Sequence, residues 1–127
     1  MSDVESTRFL PGRHVIEAYG NGGFRFGGMS HRGSILALPS GVRAWPVRSV
    51  SEVDEPALAP IIAEADAIEI LLLGTGAQPA FIEESVRALL AAAGVRLDAM
   101  QTGAAARTYN VLVGEDRRVA AALIAVA

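Results

Sequence analysis

Between His14 and Tyr19 the side chains alternate as in a strand, and Gly20-Asn21-Gly22-Gly23 supplies the positive-φ residues of a tight reversal before Phe24-Arg25-Phe26. This pattern predicts a β-hairpin. After Gly27-Gly28 and a polar connection, Ser34-Ile35-Leu36-Ala37-Leu38 and Val42-Arg43-Ala44-Trp45 read as two further strands turning at Pro39-Ser40-Gly41. The first 48 residues therefore read as mostly antiparallel sheet.

The period changes near Ser49. Leu58, Ile61, Ile62 and Ala65 follow the spacing of one helical face, with Pro56 in the first turn. Pro60 removes a backbone donor, so regular helix is expected to start only around Ala57–Pro60. Ile68–Leu73 is short, apolar and closed by glycine, as suits a strand covered on both faces. Pro79–Ala93 carries an apolar stripe of Ile82, Val86, Leu89, Leu90 and Ala93; Pro79 suits the first helical position and Gly94 the residue past the end. Val95–Ala99 reads as a strand, Thr102 as the cap of a helix over roughly Ala104–Val113, and Val119–Val126 as a closing strand. From Ser49 onward the order is α-β-α-β-α-β, the pattern of a parallel sheet covered by helices.

With 127 residues, 51% hydrophobic content and a net charge of -3, the chain suits one globular domain, with residues 1–12 expected as a flexible lead. No apolar run approaches the ~20 residues of a membrane-spanning helix, so membrane insertion is not expected. Met1–Arg13 holds Asp3 and Glu5 and no apolar core of a signal peptide, which leads to an expected cytoplasmic location. Cysteine is absent, so disulfides and thiolate chemistry are excluded. All eleven basic residues are arginine; without lysine there is no Schiff base and no P-loop. The arginines are dispersed among fourteen acids, which argues against a nucleic-acid surface.

Candidate chemistry gathers at two loops. Gly74-Thr75-Gly76 follows a buried strand and precedes a helix, where backbone amides can approach an anion. Pro79 stands where a dinucleotide motif needs its third glycine, although Asp98 lies about twenty residues on, as a ribose-binding acid would. A tight strand-to-helix turn explains the glycines equally. In a parallel sheet, Thr102-Gly103 emerges at the same edge, and Arg107 and Asn110 share a helical face beyond it. The candidate ligand-binding set is therefore Gly74, Thr75, Gly76, Thr102, Gly103, Arg107 and Asn110, against a reading as cap, surface charge and satisfied amide. Trp45 and Tyr109 could line a pocket or fill the core. His14 and His31 share no metal-ligand spacing, and no serine sits in a nucleophile elbow. No metal, cofactor or catalytic residue is implied. Glu115-Asp116-Arg117-Arg118 reads as a solvated turn or, alternatively, a partner dock.

Gly33-Ser34-Ile35-Leu36, Trp45, Leu72-Leu73-Gly74-Thr75-Gly76, the run Thr102-Gly103-Ala104-Ala105-Ala106-Arg107-Thr108-Tyr109-Asn110-Val111-Leu112 and the stretch Glu115–Leu123 together carry a resemblance over nearly the whole chain. The sequence resembles a small family of domains of unknown function, shared by bacteria, archaea and eukaryotes, that includes a mitochondrial assembly factor of respiratory complex I. The resemblance implies an α/β fold in three layers, in which an N-terminal antiparallel β-region packs with a mostly parallel C-terminal sheet flanked by helices. It implies protein partners and no established catalytic residues. The resulting expectation is a non-enzymatic protein-binding or assembly module for a respiratory or membrane complex, its self-association left open. The alternative is a small-ligand protein or enzyme that holds an anion or nucleotide-like molecule beside the two Thr-Gly loops.

Overall fold

The computed structural model of the chain describes residues 9–127. Of the lead expected to be flexible, residues 1–8 lie outside the described range, while Phe9–Pro11 form β1 against β6. The remaining strands are β2 (Ala18–Gly20), β3 (Gly23–Phe26), β4 (Met29–Arg32), β5 (Ser34–Leu38), β6 (Gly41–Trp45), β7 (Ile70–Gly74), β8 (Arg96–Met100) and β9 (Val119–Leu123). The helices are α1 (Glu55–Ala63), α2 (Glu84–Ala92) and α3 (Thr102–Gly114).

Six strands form one sheet in the order β1-β6-β5-β9-β7-β8, and β2-β3-β4 form a second, antiparallel sheet. The antiparallel and parallel halves read from the sequence meet at β9, which pairs antiparallel with β5 and parallel with β7. Period-two alternation sends the side chains of these central strands into two cores. Leu36, Leu38, Leu71, Leu73, Ala120 and Ala122 share one core with Leu58 and Ile61 of α1 and Val86 and Leu90 of α2. Ile35, Ala37, Leu72, Ala121 and Leu123 share the other with Ala105, Ala106 and Tyr109 of α3 and with Phe24 and Phe26 of the small sheet. Three layers result, and each buried Leu or Ile side chain contributes roughly 1.5–3 kcal/mol of apolar burial.

Several local expectations are corrected. The polar connection after Gly27-Gly28 is itself a strand, β4, paired with β3; Gly27 and Gly28 take φ of 57 and 74, the two positive values of a two-residue hairpin turn. Its alternation of half-buried and exposed residues marks an edge strand whose outer face is polar. Only Ala18 and Tyr19 of the predicted strand His14–Tyr19 lie in β2, because Ile16 is held instead by the side chain of Asn110.

Helix α1 starts at Glu55, earlier than Pro60 suggests, since Asp54 caps it by accepting from the Ala57 amide at 3.0 Å and Pro56 sits in the first turn. Pro60 lies inside the helix at the cost of one backbone bond. Pro79 does not begin α2. The helix starts five residues later, after Ile82 has entered the core ahead of it, and ends as expected at Gly94, φ 81. Thr102 is not a cap either: Gln101 takes that position, and Thr102 is the first helical residue with its hydroxyl engaged elsewhere.

Candidate functional site

The loops Gly74-Thr75-Gly76 and Thr102-Gly103 lie together at the carboxyl ends of β7 and β8. The Thr75 amide donates to the Met100 carbonyl at 2.8 Å and the Thr102 amide to the Gly76 carbonyl at 2.9 Å. Thr102 Oγ1 accepts from the Gly76 amide at 2.9 Å and donates to the Ile124 carbonyl at 2.7 Å, while the Ile124 amide donates to the Gly74 carbonyl at 3.0 Å. Thr75 Oγ1 donates to the Gln78 carbonyl at 2.6 Å, with the Met100 carbonyl 3.2 Å away. These bonds tie together the ends of β7, β8 and β9. The contact is close: a methyl group on Gly74 would stand 2.9 Å from Thr102 Cα, and one on Gly103 would overlap the Tyr19 hydroxyl. Thr102 has no exposed surface, and Gly74, Thr75, Gly76 and Gly103 are all buried.

Arg107 and Asn110 are drawn elsewhere. Asn110 lies half-buried, its Oδ1 accepting from the Ile16 amide at 2.8 Å and its Nδ2 donating to the Ile16 carbonyl at 2.9 Å, so the side chain imitates one rung of a strand ladder. Arg107 is exposed, and about 7.5 Å of helix rise separates it from Thr102. Glu115–Arg118 is an exposed turn, with Arg117 3.5 Å from Glu69.

The segment before β2 runs alongside α3, fixed at Ile16 by Asn110 and at Tyr19 by its contact with Gly103. The three extended steps from Ile16 to Tyr19 and the seven helical steps from Asn110 back to Gly103 both span about 10 Å, so the two rails keep step. Val15 and Tyr19, 46% and 44% exposed, thus belong to the segment held against α3, and Val111, 58% exposed, stands one helical turn beyond Arg107 on that helix. The fourth large exposed hydrophobic among the described residues is Phe81, at 99%, in the loop between β7 and α2. Sequence reasoning misses both features. The one available signal is that Phe81 falls beside, and not within, the apolar stripe beginning at Ile82.

The surface depressions include three of a few hundred Å3. One of about 460 Å3 lies on the small sheet beside Tyr19, Arg25, His31 and Arg32. Another, of about 530 Å3, is lined by Trp45, Pro46 and Val47, by Gly22, Gly33, Ser34 and Ala125, and by Arg32 and Arg48. The third, about 360 Å3, lies between Trp45 and α1, next to Arg43 and Asp54. None of the three is lined by the Thr-Gly loops, Arg107 or Asn110. Burial holds the His31 imidazole below its ordinary pKa, opposed by a hydrogen bond from the ring to the Ser34 backbone. Burial likewise raises the Tyr109 phenol, opposed by nearby Arg13.

Among known proteins, an uncharacterised protein of Rhodobacter capsulatus is 39% identical over 109 residues, covering 86% of this chain and 82% of its own. A zebrafish protein named NADH dehydrogenase (ubiquinone) 1 alpha subcomplex assembly factor 3 is 34% identical over 110 residues; 87% of this chain matches, spanning 63% of that longer protein. A crystal structure described as an outer membrane protein from Bartonella henselae superposes with a TM-score of 0.89 at 47% identity, over 93% of this chain and 99% of that one. No helix among the described residues is long and apolar enough to cross a membrane. With a match to the family profile that runs from Ile16 to Ile124, the chain belongs to the family described as protein of unknown function (DUF498/DUF598).

Proposed function

We propose that this chain is a non-enzymatic docking module that serves the assembly of a membrane-bound respiratory complex and works at the cytoplasmic side of the membrane. The observation that carries the reading is the strip on α3: among the described residues, three of the four large exposed hydrophobic side chains, Val15, Tyr19 and Val111, lie on α3 or on the segment held against it, with the exposed Arg107 one helical turn from Val111. Apolar side chains beside a cation suit a protein partner with an apolar patch and an acidic neighbour. The assembly-factor name borne by the zebrafish relative supports the class of partner. At the loops where an open α/β sheet would hold a small ligand, the hydrogen-bonding groups bond to one another, so the small-molecule alternative gains no support from geometry.

The test is affinity purification of the tagged chain from its own cells, with wild type beside Val15→Glu/Val111→Glu. Wild type should bring down subunits of a membrane-bound respiratory complex, and the double variant, equally folded by circular dichroism, should lose them. Retention by the double variant would remove the α3 strip from the reading. Absence of complex subunits from the wild-type eluate, or recovery of the chain in the outer-membrane fraction, would defeat the assembly role itself.

A further inference from the structure

Phe81 belongs to a stretch, Gly74–Ile82, that contains no charged residue, and Ala77–Phe81 are all exposed. The loop is anchored at its start by the Thr75 hydroxyl on the Gln78 carbonyl and at its end by Ile82, which is buried. A phenylalanine held out from a tethered loop is an aromatic knob with little ordering entropy left to lose on binding. Directly after it stand two exposed acids, Glu83 and Glu84.

The 530 Å3 cleft carries the complementary features. It is lined by the exposed Pro46, by the small accessible edges of Trp45 and Val47, each 3% exposed, and by Arg32 and Arg48, both exposed and without an ion-pair partner among the described residues. Glu52 is nearby, but its carboxylate takes the Arg48 backbone amide at 2.6 Å. A phenyl ring in this cleft would lie between arginine side chains, an arrangement favoured by the ring's negative face.

Topology places knob and cleft on one end of the molecule. Gly74 pairs with Leu123, Leu123 with Ile35, and Ser34 with Trp45, so the exit of β7 and the cleft at the ends of β5 and β6 share the same edge of the sheet. With β9 between β7 and β5, the exit of β7, from which the Phe81 loop departs, lies two to three strand spacings, roughly 10–14 Å, from the strands that end at the cleft. A twofold axis through the midpoint of that edge carries each knob onto the other copy's cleft, and both contacts then close at once.

We infer that a second copy of this chain docks on this edge, with Phe81 of each copy in the Trp45-Pro46-Val47 cleft of the other and Glu83 and Glu84 facing Arg32 and Arg48. This contact is separate from the α3 strip and does not depend on the assembly reading.

Sedimentation equilibrium of the purified chain tests it. The wild type should show a monomer–dimer equilibrium that weakens with salt. Phe81→Ser, which alters a side chain outside the core, should weaken association about tenfold or more. Arg32→Glu/Arg48→Glu should weaken it as well, and combining that pair with Glu83→Arg/Glu84→Arg should restore it, a rescue that mere misfolding cannot produce. A wild type that stays monomeric throughout, or a dimer indifferent to Phe81→Ser, overturns the inference. A dimer lost on Val111→Glu instead would put the self-contact on α3 and overturn it too. A monomer that loses a different protein partner on Phe81→Ser would assign the loop to that partner, again against this inference, while leaving the Val15/Val111 result to decide the assembly reading on its own.

Discussion

Thr102 concentrates much of the site's polar accounting in one hydroxyl. Its oxygen accepts from the Gly76 amide and donates to the Ile124 carbonyl in a position without solvent contact. Thr102→Val keeps the shape and strands both partners, each at about 1–3 kcal/mol, so chemical denaturation should show a loss of roughly 2–6 kcal/mol. Thr102→Ser retains the hydroxyl and should lose much less; equal losses would contradict this account. Two titratable groups, the half-buried His31 and the buried Tyr109, give pH signatures of opposite sense. His31 favours the neutral ring in the fold, its pKa lying below 6.5, so its contribution is present above 6.5 and fades as pH falls through the lowered value. Melting temperature should therefore drop just below pH 6.5, and His31→Gln should flatten that step. Tyr109 favours the protonated phenol, its pKa lying above 10.0, so stability should decline as pH rises past 10.0, with Tyr109→Phe removing the decline. Neither direction can be read from the chain, because burial and not residue type sets it.

Elements behave as the hydrophobic period predicts wherever that period is long, and depart from it where one side chain substitutes for backbone. The segment around Ile16 has the alternation of a strand, yet Asn110, 94 residues away, supplies its ladder partner. Asn110→Ala should leave the Ile16 amide open to exchange and raise its hydrogen-exchange rate well above that of the β3 amides; unchanged protection would mean the clasp is unimportant. The adjacency of the two Thr-Gly loops is legible, since parallel strands put successive carboxyl ends on one edge. Their closure is not, because it depends on how near α3 comes to Gly74. The start of α2 is missed for a related reason. Propensity favours Pro79 at a first turn, but the loop must first bring Ile82 into the core, a tertiary demand invisible to local patterning. β4 escapes notice because only one of its faces meets anything apolar.

At the scale of the whole molecule, β5, β9 and β7 lie at the centre of the large sheet, with helices on one side and α3 with the small sheet on the other. Leu72, fully buried on β7 beneath α3, reports on that centre: Leu72→Ala should cost about 2–5 kcal/mol by denaturation, whereas Val111→Ala on the exposed strip should cost less than about 0.5. The position of β9 has a consequence for synthesis. β5 and β7 leave the ribosome before the strand that must be inserted between them, so the growing chain carries two unpaired edges of apolar sheet until residues 119–123 emerge. Translation stopped after Arg118 should yield a product that aggregates or is held by chaperones, and pausing ahead of Val119 should lengthen the window in which neighbouring nascent chains on one polysome can pair through those edges.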